Sequence, residues 1–460
     1  MKTLPLYYKT RTLCPICNEL VNGEIIAENN KVYIERECPK HGYFKGLISS
    51  DQAWYEELPK YYTDGIKPQN RAKKDLQGCP EDCGLCSEHS QIAGTLAIEI
   101  LDSCNENCPT CLANNIGSFM MSVEDVRRAV EAGLKSQEFI ATVTLSGGEP
   151  TIHPDFFAIL DVVQRPEIGR VSINTNGKRI REDENFVKQL AQYDNIYLSP
   201  HYDGQSAISL RGVSYEEQKR TIEILQAHGI DMVPVVLATA GHNDHELGKL
   251  LDELFINYSH VKSVMYSLMT YSGKEGRNFY NDPMNRLTIP QAIESIQDSS
   301  KTLKKSDFIP LPMANPMCAS IGYFLVMDGE ITPLLQFGER EKIVEYIKNG
   351  HFGNLTPEFA NFIQESIYHI FSNSDQYEYP DALLMKFKRL YKLLFPDDKK
   401  LTHEQRVKLA SEHLRVVYLM QFMDSWSFDS NRLNRCSCQH AFASGEIIPT
   451  CSFYCYYRTI

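Results

Sequence analysis

Cys104, Cys108 and Cys111 form a CxxxCxxC loop directly after the apolar run at residues 96–101. Thiolates are soft ligands that suit iron–sulfur clusters, and a pure electron carrier normally surrounds its cluster with four of them. Three thiolates leave the fourth iron of a 4Fe-4S cluster without a protein ligand and free to chelate a small molecule. The triplet therefore reads as a catalytic centre. Gly147-Gly148-Glu149-Pro150 follows it, with 35 residues between. Paired glycines let backbone approach a ligand closely, and Glu149 supplies a carboxylate able to accept hydrogen bonds from an ammonium group. Alone, this tetrapeptide is an ordinary turn; at this distance from the triplet it suits the amino-acid end of S-adenosylmethionine.

The other cysteines fall into groups rather than scattering. Cys14-x2-Cys17, a 20-residue spacer and Cys38-Pro39-Lys40-His41 make two knuckles on a hairpin, with Glu28-Asn29-Asn30 as its polar turn. Three cysteines and His41 complete a closed tetrahedral site, a structural role that fits one mononuclear zinc or iron. Cys79, Cys83 and Cys86 repeat the spacing of the catalytic triplet, but polar Lys73-Lys74-Asp75-Leu76-Gln77 precedes them instead of a strand. Cys318, Cys436, Cys438, Cys451 and Cys455 bring the cysteines outside the knuckles and the catalytic triplet to eight. Eight would fill two auxiliary 4Fe-4S clusters. The first three need one further ligand, a distant cysteine or His89, and Cys318 is expected to join three of the last four.

The elements that must position these groups alternate between strand and helix. Strand signals end at the triplet (residues 96–101), at the glycine pair (142–146), at Asn174-Thr175-Asn176-Gly177, and at Ser199, with two more at 232–237 and 261–266. Helix-period stretches near 123–135, 183–193, 214–228 and 244–255 separate several of them. Such repetition implies a parallel sheet with functional groups at the strand C-terminal ends. His201 and Tyr202 follow the fourth strand and are candidates for substrate contact, whereas His153 is expected to pack in its loop.

With these motifs in place, residues 90–290 resemble the radical S-adenosylmethionine superfamily, whose core is a partial (β/α)6 barrel. The resemblance implies that Cys104, Cys108 and Cys111 hold the cluster and that Gly147, Gly148 and Glu149 contact the methionyl group. Asn174, Thr175, Asn176 and Ser199 fall where the superfamily places ribose and carboxylate contacts. Thr110 departs from the aromatic residue often found before the third cysteine. The implied chemistry is reductive cleavage of S-adenosylmethionine to a 5′-deoxyadenosyl radical, with reduced flavodoxin or ferredoxin as electron donor.

The knuckles, the Gly78–Cys86 loop region, Tyr271-Ser272-Gly273, Asn315-Pro316-Met317-Cys318 and the cysteine-rich ending further resemble the archaeal tetraether lipid synthase family. That family joins unactivated methyl ends of lipid chains. Related proteins carry the label of pterin methyltransferases. The Cys436-x-Cys438 and Cys451-x3-Cys455 pairs differ from the single-cysteine pattern expected there. An insert at residues 338–430 shows helical apolar spacing in Leu383, Leu384, Phe387, Leu390, Leu393 and Leu394, read as a core face, and again in Leu409, Leu414, Val417, Tyr418, Met420 and Phe422. Met420, Phe422, Met423 and Trp426 are candidates to line one large apolar pocket.

Of the 460 residues 43% are hydrophobic, enough for a large core, and the net charge of −12 opposes a broad nucleic-acid or anionic-membrane surface. No uncharged stretch approaches the roughly 20 residues that span a bilayer, so a cytoplasmic protein with at most peripheral membrane contact is expected. The expected architecture is α/β, in three parts. A metal-knuckle domain spans 1–70, an auxiliary-cluster segment with the partial barrel spans 71–310, and a C-terminal auxiliary-cluster domain with its helical insert spans 311–460. The expected activity is hydrogen abstraction from an unactivated carbon, with carbon–carbon bond formation on lipid chains first. The alternatives are a methyltransferase or modifying enzyme for a pterin or peptide, or a non-catalytic multi-cluster electron-transfer protein.

Overall fold

The structure, a computed structural model, describes residues 6–71, 73, 77–113, 117–279, 282–348, 357–377 and 379–458. Residues 74–76 of the polar stretch before Cys79 and 349–356 of the insert lie outside them. The first layer is an antiparallel sheet of β1 (Lys9–Leu13), β2 (Leu20–Glu28), β3 (Lys31–Cys38) and β4 (Gly42–Ser49), in that spatial order. The β2–β3 hairpin turns on Asn29 and Asn30, both at positive φ, the conformation that a two-residue turn demands and asparagine tolerates.

Next comes a six-stranded parallel wall. Its strands are β5 (Thr95–Leu101), β6 (Thr142–Gly147), β7 (Val171–Thr175), β8 (Ile196–Pro200), β9 (Val235–Ala238) and β10 (Ser263–Leu268). Ladders join β5 to β8 and β9 to β10, and single bridges from Leu198 to Met232 and from His201 to Val235 carry the curve across the gap. Alternation divides each strand. Leu96, Ile98, Val143, Leu145, Val171, Ile173, Ile196 and Leu198 point outward into one buried core beneath the helices. The intervening Glu99, Ser146, Ser172, Asn174 and Ser199 therefore face inward. The covering helices start as their sequences dictate: Ser122 and Asp125 form a capping box on Val123–Ser136, and Ser214 and Glu217 another on Tyr215–Ala227.

The C-terminal third is woven into both edges of the wall. β11 (Ile309–Pro310), β12 (Ala319–Met327) and β13 (Glu330–Pro333) extend one edge through β14 (Leu414–Met420), which runs parallel to β10. At the other edge β15 (Cys438–Ala441) pairs parallel to β5, and β16 (Ile447–Pro449) pairs with β15. The first apolar run of the insert is a core face as expected: Phe387, Leu390 and Leu394 on helix Pro380–Leu394 are fully buried. The second corrects the helical expectation, because the helix stops at His413 and Leu414–Met420 is the central strand β14. Nor do Met420, Phe422, Met423 and Trp426, at and beyond its end, line one pocket. Met420 packs beneath β12, Phe422 and Met423 against Cys451 and Cys455, and Trp426 beside Met269 and Tyr271.

A cavity of about 760 Å3 lies elsewhere, between the insert helices and the beginnings of the parallel strands. Arg170, Tyr197, Ser263 and Val416 mark those strand N-terminal ends, and Tyr346 and Phe362 face them from the insert. No helix among the described residues is long and apolar enough to cross a membrane.

Candidate active site

The triplet and the glycine turn meet at the C-terminal end of the wall, at the face opposite that cavity. The main chain of Gly148 donates to Leu101 O at 2.8 Å and that of Glu149 to Ser103 O at 2.8 Å. A Cβ on Gly147 would lie 2.0 Å from Leu101 O, and one on Gly148 1.9 Å from Ser103 O. Only glycine admits that approach, so the pair ties the turn to the chain leading into Cys104.

Glu149 serves this construction from beneath rather than offering its carboxylate to the cleft. It is 1% exposed, and its Oε1 accepts from Thr151 Oγ1 at 2.5 Å and Thr175 Oγ1 at 2.8 Å while Oε2 accepts from Asn176 N at 2.7 Å. Burial raises its pKa, and these donors oppose the rise. Asn176 continues the chain of contacts with Nδ2 donating to Asn105 Oδ1 at 2.7 Å and reaching Cys104 Sγ at 3.8 Å. Thr175 and Asn176 thus position the Cys104 loop, while Asn174 and Ser199 lie on the inner wall, the first against Ser146 Oγ at 3.4 Å and the second against Ser172 Oγ at 3.0 Å.

The three thiols are near enough to perturb one another. Burial pushes Cys108 up to about 12; Arg211 opposes the rise, and Cys111, Glu106 and Cys104 add to it. Burial also raises Cys104, assisted by Glu149 and Cys111. Three thiols gathered in one loop are a soft donor set that fits iron. Two charged residues absent from the sequence reading border them. Arg211 is held by buried Asp203 at 3.0 Å. Glu106, inside the cysteine loop, sits 3.5 Å from Arg181, is lifted to about 7 chiefly by burial, and has a buried Oε2 without a partner among the described residues. Neither has a local pattern, since each is defined by a partner elsewhere in the chain. Thr110 turns away from the cleft and donates to Leu210 O at 2.8 Å. Tyr202 also points into the core, its hydroxyl 2.9 Å from that of Tyr215, whereas burial takes the neighbouring His201 down to about 3. His153 packs in its loop, with Nε2 2.9 Å from Met121 O.

In the first layer, Cys14, Cys17, Cys38 and His41 converge, with their ligand atoms all within 4.8 Å of one another. His41 Nδ1 lies 3.6 Å from both Cys14 and Cys38 Sγ. Burial would raise Cys38, yet hydrogen bonds from Lys40 N–H and from His41 bring it down to about 6. Such a donor set could hold a tetrahedral metal.

The remaining cysteines gather behind the catalytic loop. Burial raises Cys436, Cys438 and Cys451; Cys318 raises all three further, Cys438 adds to Cys436 and Cys451, and Cys451 adds to Cys436. Among them stands Arg432, 2% exposed, which donates Nη2 to Cys318 Sγ at 3.1 Å while its Nε and Nη1 find no partner among the described residues. A buried cation with unspent donors fits an anionic, thiolate-held group. Cys79 and Cys83 adjoin the same region, with Cys436 nearby. His89, the alternative fourth ligand for that loop, is engaged through Nε2 by the Gln439 amide at 2.9 Å. Cys455 is buried beside Met423 O at 3.1 Å and Ser272 Oγ at 3.8 Å, and burial, then Cys451, raises its thiol.

The Radical SAM superfamily profile matches residues 98–254, and that of the HMPTM N-terminal zinc ribbon domain matches residues 6–50. A curated relative, the 7,8-dihydro-6-hydroxymethylpterin dimethyltransferase of Methanocaldococcus jannaschii, is 27% identical over 98% of this chain and 94% of its own length. Mycofactocin maturase MftC of Mycobacterium ulcerans is 28% identical over 33% of this chain and 42% of its own. Among solved structures, Streptococcus suis SuiB bound to S-adenosylmethionine aligns with a TM-score of 0.33 and 20% identity over 38% of this chain and 40% of its own. Through residues 98–254, which hold the cysteine triplet and the glycine turn that meets it, the chain belongs to the radical S-adenosylmethionine superfamily.

Proposed function

We propose that the chain is a radical S-adenosylmethionine transferase acting on a reduced pterin. The observation that carries this reading is the likeness to the M. jannaschii pterin dimethyltransferase, which spans 98% of the chain and so includes the ribbon and the cysteine-rich ending as well as the barrel. When bound, the reduced cluster and S-adenosylmethionine supply one-electron cleavage of a carbon–sulfur bond and a 5′-deoxyadenosyl radical that abstracts hydrogen from carbon.

The chain's own residues bind, orient and enclose. Cys104, Cys108 and Cys111 hold the catalytic 4Fe-4S cluster. Backbone at Gly147 and Gly148 receives the methionyl end, and Glu149, Thr175 and Asn176 keep that backbone and the cysteine loop in register. Asn174 and Ser199 face the ribose and carboxylate from the inner wall. The eight remaining cysteines hold two auxiliary 4Fe-4S clusters, with Arg432 balancing the charge of the one that includes Cys318. Zinc at Cys14, Cys17, Cys38 and His41 is structural. The electron donor is a reduced flavodoxin or ferredoxin, and the setting is cytoplasmic.

Anaerobic reconstitution followed by reductant, S-adenosylmethionine and a 7,8-dihydropterin tests the reading. Production of 5′-deoxyadenosine together with an alkylated pterin supports it; 5′-deoxyadenosine with an unaltered pterin overturns the substrate. A second reading, carbon–carbon bond formation on lipid chains, would require the apolar cavity at the strand N-terminal ends to pass a chain through to the opposite, catalytic face. Deuterium transferred from the methyl ends of a labelled lipid into 5′-deoxyadenosine would select it.

A further inference from the structure

Glu99 stands on the inner face of β5, five residues before Cys104, and is 7% exposed. Its outward neighbours Ile98 and Ile100 pack in the core beneath helix Val123–Ser136, which fixes the carboxylate on the barrel side. The register sets its level. Glu99 pairs with Ser146, the residue before Gly147, and Asn174 Nδ2 reaches Ser146 Oγ while pairing across to Ser199. Glu99 therefore belongs to the ring of polar side chains directly below the glycine turn.

Two residues of the C-terminal tail hold it there. Tyr454 OH donates to Oε1 at 2.6 Å and Arg458 Nη1 donates to the same oxygen at 2.7 Å. The tail is itself anchored: Phe453 and Tyr454 pack edge-on against His440 of β15, with ring centroids 4.7 and 5.2 Å away. A carboxylate oxygen has two acceptor sites, so the tail saturates Oε1 and leaves both sites of Oε2. Among the described residues the donors to this carboxylate, Tyr454 OH and Arg458 Nη1, both go to Oε1. The carboxylate is therefore oriented through one oxygen.

We propose that Glu99 Oε2 is the substrate-recognising acceptor of this barrel, taking the 2-amino and N3–H donors of the pterin ring, with Tyr454 and Arg458 as positioning residues. The inference rests on the pterin reading above. A heterocycle presenting adjacent N–H donors matches an acceptor-only group on a dry wall, and an analogue without the amino group leaves an acceptor unpaired there.

The test is equilibrium binding of a 7,8-dihydropterin and of its 2-desamino analogue to reconstituted holoenzyme in the presence of S-adenosylmethionine. Wild type is expected to prefer the pterin at least tenfold. Glu99→Gln should erase that preference while leaving S-adenosylmethionine affinity and iron content unchanged. Tyr454→Phe should reduce the preference without removing it. A Glu99→Gln protein that still discriminates as wild type does overturns the inference and leaves the pterin reading intact. Wild type that binds neither compound overturns the pterin reading itself.

Discussion

The carbonyl oxygen of Ser103 lies where a Cβ of Gly148 would stand, 1.9 Å away. The glycine turn is thus built against the strand exit that carries the cysteine triplet, and the 35 residues between them serve to bring the two together. Gly148→Ala must push the turn or the cysteine loop aside by an ångström or more. Misplacement on that scale costs catalysis about 10²-fold. The expected outcome is a comparable fall in 5′-deoxyadenosine formation with weakened S-adenosylmethionine binding and a folded barrel by circular dichroism; unchanged turnover would contradict the packing.

Glu149 predicts a different failure. Both of its oxygens accept from Thr151, Thr175 and Asn176, so Glu149→Gln turns one acceptor into a donor facing N–H or O–H groups. A buried donor left unsatisfied costs about 1–3 kcal/mol, expressed here as loss of register between Asn176 and the Cys104 loop. S-Adenosylmethionine affinity should fall about tenfold, measured by isothermal titration, with a smaller fall in melting temperature.

The legibility of this site divides along chemical lines. The triplet, the glycine turn and the metal knuckles were readable because their residues recur at short, fixed spacings. Glu99, Arg211 and Arg432 were not, because each acquires its role from contacts that no local spacing encodes: Glu99 from Tyr454, 355 positions away, and Arg432 from Cys318, 114 positions away. The fold divides similarly. Phe387, Leu390 and Leu394 show a helical period because one face of their helix is wet, whereas Val416, Val417, Tyr418 and Leu419 are all buried. A strand covered on both faces shows no alternation and passes for a stretch of core helix.

His41 completes the ribbon site through Nδ1, 3.6 Å from two thiols. His41→Ala is expected to release zinc to a chromogenic chelator at concentrations the wild type withstands. Zinc binding in small ribbons is worth about 10–16 kcal/mol to folding, so loss of one ligand should lower the ribbon's melting temperature. The ribbon also touches the cysteine-rich ending, where Asn18 donates to Cys455 O at 2.5 Å and Tyr8 and Thr10 donate to Asp429. Limited proteolysis should accordingly cut the variant near the β1–β2 turn first.

Arg432→Met keeps the volume and removes the cation beside Cys318. Removing one member of a buried charged pair costs about 3–5 kcal/mol, so the auxiliary cluster proposed at Cys318 should be lost selectively. Iron per chain should drop by about four atoms, since one 4Fe-4S cluster carries four. Uncoupled cleavage of S-adenosylmethionine, proposed to take place at the Cys104 triplet, should persist; full iron retention would dissociate Arg432 from cluster binding.

Val416 borders the cavity at the strand N-terminal ends, between Ser263 of β10 and Tyr323 of β12. Val416→Trp projects an indole into that space and leaves the catalytic face, at the other end of the strands, untouched. Each buried methylene of a bound chain is worth roughly 0.8 kcal/mol, so excluding two of them should weaken a spin-labelled alkyl probe by about tenfold. Pterin binding should be unaffected if substrate enters at the glycine turn. If the variant instead stops turnover while uncoupled cleavage of S-adenosylmethionine continues, the cavity is the substrate's path, and the lipid reading displaces the pterin one.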